Sequence, residues 1–503
     1  YLYINIHKSY FMTKLKTCFI LFCLSLLYLL GHTNNIQINN IRLTGQDLNN
    51  QFTLIEFDVQ WENSWRINVG PSNWDAAWIF VKYRLSGGQW QHASINYVTG
   101  DASSDGHTQP EGATIKTPED GTGIFIYRSS IGSGNVSFQG ARLQWNYGSD
   151  GVDDEAIVDL KVFGIEMVYV PQGAYELGSP GGTENGKFYQ YPATNTTYTV
   201  NSENAIPVGT SSGALYYEVI GSSGDQSGPV PEEFPKGFGG FYCMKYEVSQ
   251  EQWVAFFNCL TDAQKTKHDI TGITGKNSDD EIAGNGISWE SGQATTLNPS
   301  LPLNYVSWIN ANAYFDWSGL RPMTELEYVK ASRGTLPAVA DEFAWGNANI
   351  YTATYTLANE KTSQELVLNP GTGLGNAVYN GTVSGRPLRV GALAASAVNK
   401  NREESGGSYY GIMELSGNVY ERVISVGHAD GRAFTGQHGN GRLTTDGDAD
   451  VAGWLAGGQG GGYVGGSHVN GELYIRIADR YDAANLSDII NSRVGFRAVR
   501  SAP

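Results

Sequence analysis

Apolar and polar positions alternate with a period of two through most of the first third of the chain. The runs IQINNIRL, TLIEFDVQW, AAWIFVKYRL, GIFIYRSS, ARLQWNY and AIVDLKVFGIEMVYV are short and rich in aromatic and β-branched residues. They are separated by NVGPSN, SGG, GDASSDG, PEDGTG and GSGN. Such alternation suits strands with a buried face, and the Gly, Pro, Asn and Asp clusters between them are turn chemistry. Strands at this spacing, with no helical period among them, predict an antiparallel sandwich over residues 34–164. Trp61, Trp65, Trp74, Trp78 and Trp90 crowd this region. Core and strand-edge packing is the favoured account of them, with a sugar-stacking face as the alternative.

From residue 165 the pattern changes. GIEMVYVPQGAYELGS reads as strand, turn and strand, and the Gly-, Ser- and Thr-rich stretch 179–235 as a long insertion. FYCMKYEVSQEQWVAFFNCLT then joins a strand to a helix, with Ser249 as N-cap and Trp253, Phe256, Phe257 and Leu260 as its apolar stripe. VSWINANAYFDWSG predicts a second helix ending at Gly319. MTELEYVKASRG predicts a third, with Thr324 and Glu327 spaced as a capping box. The remainder, 335–503, is Gly-rich with few regular runs. The fold class expected is α+β: an all-β sandwich followed by a loop-rich domain with few helices.

Composition and charge narrow the functional classes. Gly is 63 of 503 residues and aromatics are 12 %, which fits ordered loops and β-structure better than helical bundles. A net charge of −17 argues against a nucleic-acid partner, because phosphate binding needs a basic face. At the N-terminus, residues 1–11 read as upstream read-through before Met12. Lys14 and Lys16 then precede the apolar run CFILFCLSLLYLLG. That run is short for a spanning helix and suits a signal peptide cleaved near Asn34, so export to the surface, periplasm or medium is expected. An uncleaved anchor is the alternative. Beyond the leader only Cys243 and Cys259 remain, either as one disulfide or as two buried thiols.

Seven blocks stand in one order along the second part: MVYVPQGAYELGS (167–179), FYCMKYEVSQEQW (241–253), PLNYVSWINANAYFDW (302–317), RPMTELEYVKASRG (321–334), FAWGNANI (343–350), YGIMELSGNVYERV (410–423) and GGS…RIADR…VGFRAVR (465–500). Together they make residues 165–503 resemble the formylglycine-generating enzyme, or sulfatase-modifying factor, family. The resemblance implies a variant C-type-lectin-like fold. Active members oxidise a sulfatase cysteine to formylglycine with two cysteines that hold copper. Asn470 and Ile475 stand about where that sulfur would be, and no Cys follows Cys259. Soft thiolates suit Cu(I), and Asn and Ile do not replace them. Neither copper nor the oxidase activity is therefore expected. A related branch uses non-haem iron held by His. His428, His438 and His468 keep a metal-dependent oxidoreductase as the alternative function. The resemblance also implies structural Ca²⁺ at Asn418, Val419 and Glu421, and at Asn349 and Ile350, whose oxygens are hard donors. The other reading of GNVYE is a fold-defining turn in which Glu421 pairs with an Arg.

The closing segment GGSHVNGELYIRIADRY raises the remaining expectation. Gly465 and Gly466 permit a tight turn. If the segment is extended, Ile475, Ile477 and Ala478 anchor inward, and His468, Asn470, Tyr474, Arg476, Asp479 and Tyr481 form a ligand-facing surface. At least two of Arg476, Arg480, Arg493 and Arg497 are expected to be structural partners of buried acids. The function expected is an exported, non-catalytic ligand-binding or cell-surface structural protein, with a protein, peptide or glycan as partner.

Overall fold

The computed structural model describes residues 36–98, 105–290 and 292–503. The leader segment and the expected cleavage near Asn34 lie outside the described residues. The architecture is mixed, with many strands, a few short helices and much ordered coil.

Two antiparallel sheets organise the N-terminal part. One has three strands in the order Gln37–Asp47, Phe52–Arg66, Gly132–Trp145. The other runs Arg321–Pro322, Ala498–Ser501, Phe241–Met244, Val158–Val170, Asp75–Leu85, Ile124–Arg128, Ala113–Lys116, with Gln91–His92 also paired to Asp75–Leu85. The near-continuous apolar run DAAWIFVKYRL explains why this second sheet lies in the middle of the molecule. Both of its faces are buried, as such a run requires. Ala77, Ile79, Val81 and Tyr83 point into a core shared with Phe57, Trp61, Leu143 and Trp145 of the first sheet. The alternate residues Ala76, Trp78 and Phe80 point the other way, against Trp253, Phe256, Tyr314 and Trp317 of the helices.

The sandwich is therefore not self-contained. Val158–Val170 pairs with Asp75–Leu85 from Val158↔Leu85 to Val168↔Asp75, and with Phe241–Met244 on its other edge. One strand thus runs through residues 164 and 165 and welds both parts into one sheet. Polar contacts reinforce the weld. Trp78 Nε1 donates to the Ser318 carbonyl at 2.8 Å, and Asn73 Nδ2 to the Tyr410 carbonyl at 2.7 Å. Lys82 Nζ donates to the carbonyls of Trp317 and Gly441, and burial lowers its pKa to about 7. Trp61 and Trp78 are core residues, and Trp74 stacks between Tyr127 and Tyr169, so these tryptophans pack rather than form an open face.

The helices begin where capping predicts. Ser249 caps Gln250–Phe257 and Thr324 caps Glu325–Arg333, each with a complete capping box. Ser307 caps Trp308–Trp317 in the same way. A fourth helix, Asp262–His268, follows Thr261 and was not anticipated from the pattern. The Gly- and Ser-rich stretch 179–235 is not a loose excursion. Its Phe188, Val200, Leu215, Tyr217 and Phe234 join the core that holds Trp308, Tyr328, Ile424 and Ile477. No described helix is long and apolar enough to cross a membrane.

Candidate functional site

Strand Glu421–Ile424 pairs antiparallel with Gly461–Val464, and the chain then turns sharply. Gly465 and Gly466 make that turn with φ of 83° and 66°, a region that favours glycine. A Cβ on Gly466 would lie 2.5 Å from the Ile475 side chain, so the turn has no room for one. The segment beyond is not extended: residues Glu472–Ile475 form one 3₁₀ turn. Ile475, Ile477 and Ala478 still point inward, as the apolar pattern implied.

This turn and its partner strands enclose a cavity of about 280 Å³. Tyr420, Tyr463, Asn470, Tyr474, Tyr481 and Arg493 line it, with Asp482 and Asn485 at its side. Tyr474 and Tyr481 meet edge to face with centroids 5.4 Å apart. Tyr420 donates its hydroxyl to Asp482 at 3.1 Å, and Tyr463 donates to the Ser487 carbonyl at 2.6 Å. Burial raises the pKa of Tyr420, Tyr463 and Tyr474, so the phenols stay protonated donors at neutral pH. Among the described residues no carboxylate forms an ion pair with Arg493. The cavity offers stacking faces and hydrogen bonds.

Of the six residues expected to face a ligand, three meet here and three do not. Asn470, Tyr474 and Tyr481 share the cavity. His468 is buried, its Nδ1–H donating to the Asn418 carbonyl at 3.2 Å, and burial lowers its pKa to about 4, leaving it neutral. Asp479 is buried because the inserted stretch reaches it: Asn185 donates both its backbone N–H, at 3.0 Å, and its side-chain amide, at 2.8 Å, to the Asp479 carboxylate. Burial raises the Asp479 pKa to about 6. Arg476 is tied to Asp341 at 2.6 Å and Glu472 at 2.8 Å. Arg480 pairs with Glu325 and lies over the Phe188 and Tyr217 rings, and Arg497 pairs with Glu421. Three of the four arginines are thus structural, and Arg493 is the one that lines the cavity. Sequence reasoning missed Tyr420 and Tyr463. The strand pairing Arg422↔Tyr463 brings Tyr463 to this mouth.

Asn470 and Ile475, where the resemblance implied sulfur, are engaged in packing and turn contacts. Ile475 packs among Phe343, Trp345, Ala377 and Tyr379, and Asn470 holds the turn, its Oδ1 accepting from Ser467 and its carbonyl from the Asn380 N–H at 2.9 Å. A copper ion has no fit there. Cys243 and Cys259 are free buried thiols in two different core clusters, which resolves the choice left open by their count. Burial pushes the Cys243 thiol up to about 12, far from a reactive thiolate.

Some of the oxygens expected to bind calcium have other partners. Asn418 Oδ1 accepts from the Leu388 N–H at 2.9 Å, and its amide donates to Glu247 at 2.7 Å. Glu421 Oε1 holds the Arg497 guanidinium, while Glu421 Oε2 and the neighbouring Glu414 Oε2 are buried with no hydrogen-bond partner among the described residues. At the other segment, Asn349 gives its carbonyl to Trp345 Nε1 at 2.9 Å and its amide faces Glu403 at 3.4 Å. The three histidines are separately engaged: His428 accepts from the Asp430 N–H, His438 from the Ser501 N–H and His468 as above. Among the described residues no group of three or more His, Cys, Asp or Glu side chains is placed to hold a metal.

A loop-rich α+β domain with small sheets, capped short helices and a Gly-Gly turn ahead of a GFR segment that leads into the C-terminal strand Ala498–Ser501 defines a recognisable class. The chain belongs to the sulfatase-modifying factor family: the sulfatase-modifying factor enzyme 1-like domain is matched over residues 163–502. It is also similar to the formylglycine-generating enzyme of Thermomonospora curvata, with 26 % identity over 252 residues, 43 % of this chain and 72 % of that protein.

Proposed function

We propose that this chain is an exported, non-catalytic, ligand-binding member of the family, and that the tyrosine-lined cavity at its C-terminal turn is the binding site. The observation that carries the proposal is Ile475, a fully buried aliphatic side chain packed among aromatic rings at a position the resemblance gives to sulfur. Cu(I) needs soft donors, and a core isoleucine supplies none. What occupies the place instead is a rim of phenols with an amide and a guanidinium. Tyr and Arg are the residues that dominate recognition hot spots. Export is supported by the basic-then-apolar leader of the sequence.

Two measurements test it. The protein is incubated with copper, oxygen, a thiol reductant and a peptide bearing a sulfatase motif, and the peptide is assayed for aldehyde. No protein-dependent conversion is expected, and conversion overturns the non-catalytic reading. A peptide and glycan array is then probed with the parent protein and a Tyr474→Ala variant. Loss of an array signal in the variant is expected, and an identical pattern removes the cavity from the account.

A further inference from the structure

A larger opening, of about 840 Å³, lies where the N-terminal sheets face the family domain. Glu62, Trp65, Ile67 and Asn73 form one wall, and the segments around 389–395 and 400–413 form the other. Lys245 and Tyr246 also line it. This space exists only because the two parts share a sheet, and it is separate from the tyrosine cavity.

Its lining carries four cations, Lys245, Arg389, Lys400 and Arg402, against one carboxylate, Glu62. That balance runs opposite to the chain's net charge of −17. Three of the cations are held in place by backbone carbonyls, with Glu365 and Glu414 near Arg389 and Glu342 near Arg402 but outside ion-pair contact. Arg402 donates to the Ala344 carbonyl at 2.7 Å and lies over the Tyr409 ring at 5.6 Å. Arg389 donates to the carbonyls of Glu365 and Val390 at 2.7 and 3.1 Å. Lys400 donates to the Ala394 and Ala395 carbonyls at 3.2 and 2.6 Å. Among the described residues none of the three forms an ion pair with a carboxylate. The acids beside them in sequence are turned elsewhere, Glu403 to Asn347 and Glu404 to Asn399 and Gly373. Lys245 differs, since Glu166 pairs with it at 2.9 Å behind the wall.

Carbonyls and aromatic faces fix these side chains along the wall of the opening without forming an ion pair. Such pre-positioned cations are what oxyanion recognition uses. The rest of the lining supplies amides and hydroxyls from Asn63, Gln364, Asn401 and Ser405, beside the rings of Trp65 and Tyr409. Flat rings next to amides suit hydroxyl-rich ligands, and the volume lies within the usual range for small-ligand sites. We propose that this cleft binds an acidic oligosaccharide, its carboxylate or sulfate groups on Arg389, Lys400 and Arg402 and its sugar rings along Trp65 and Tyr409.

The test is calorimetric titration of the full chain with four probes: an oligogalacturonate, a sulfated dextran oligosaccharide, a neutral malto-oligosaccharide and oligoglutamate. Binding to at least one acidic saccharide is expected, weakening as salt rises and at least about tenfold tighter than either the neutral sugar or the peptide. The galacturonate and sulfate arms tell which oxyanion is preferred. Arg389→Gln with Lys400→Gln should weaken the preferred saccharide at least about tenfold. Lys400→Gln alone, at an exposed position, serves if the double variant misfolds and should still give a measurable loss. The Tyr474→Ala variant should bind the saccharide like the parent, which separates this site from the tyrosine cavity. No binding of either acidic saccharide, equal binding of the neutral sugar or of oligoglutamate, or unchanged affinity in the charge variants overturns the proposal.

Discussion

The two openings of this molecule are built from different materials. The tyrosine cavity sits on the family's own frame, and its surroundings rest on charge pairs: the buried Arg497 with Glu421 and Arg480 with Glu325, and buried Arg422 with the half-buried Asp488. The cleft between the two parts keeps three cations, Arg389, Lys400 and Arg402, that backbone carbonyls hold and that form no ion pair among the described residues. In the first region the charges are spent on the fold, and what faces outward is phenol and amide. In the second the fold is secured by a shared sheet, and charge remains for a partner. The difference separates residues whose loss should unfold the domain from residues whose loss should leave it folded.

Substitutions should expose this contrast directly. Arg497→Met leaves Glu421 buried without its cation, close to Glu247 and Glu414, and should cost about 3–5 kcal/mol in urea unfolding. Lys400→Gln on the cleft side should change stability by less than about 0.5 kcal/mol. Similar losses for both would erase the distinction. Next in size is the aromatic rim. Tyr474 and Tyr481 are half-buried and in edge-to-face contact, so replacing both with Ala should cost about 1–2 kcal/mol while the fold persists by circular dichroism. A completely unfolded variant would make these rings core residues and not a rim.

Proton linkage offers a finer probe. Burial raises the Glu414 pKa from 4.5 to about 7. Between those values the native state keeps a proton that the unfolded chain has released, so this group's stabilisation is fully present below about 4.5 and is lost as pH rises through about 7. His468, lowered to about 4, acts in the opposite sense, its contribution being present above 6.5 and lost as pH falls through about 4. Comparing Glu414→Gln with the parent cancels the histidine. The variant should melt higher than the parent at pH 8 and alike at pH 4.5, and a constant offset at both would show that Glu414 does not titrate in this window. The smallest expected effect is that of metal removal. If Arg497 alone serves Glu421, a chelator should move the melting temperature by less than about 1 °C, where a bound ligand at a hundredfold excess over Kd would contribute about 2.7 kcal/mol. A drop of several degrees would restore calcium to this turn.

Much of the local structure was legible because it depends on neighbours in sequence. Period-two alternation marked the strands, the N-cap at Ser249 and the capping box at Thr324 marked helix starts, and the apolar pattern turned Ile475, Ile477 and Ala478 inward. The same pattern did not reveal that the 3₁₀ turn at Glu472–Ile475 breaks the extended path, because that depends on how Gly466 packs against Ile475.

The sequence by itself determined the strand-rich beginning, the capped helices, the sulfatase-modifying-factor resemblance and the loss of thiolates at the C-terminal turn. Each follows from residue identity and short-range spacing. Only the tertiary structure decided which polar side chains remain available. Asp479 looks like a ligand-facing acid in its own segment, yet Asn185, 294 residues earlier, claims its carboxylate. Arg389 and Arg402 look like ordinary loop cations, yet Trp65 faces the same cleft from the N-terminal sheets. Burial and pairing are set by whatever the chain path brings alongside, and that path crosses the whole length of the molecule through one shared sheet.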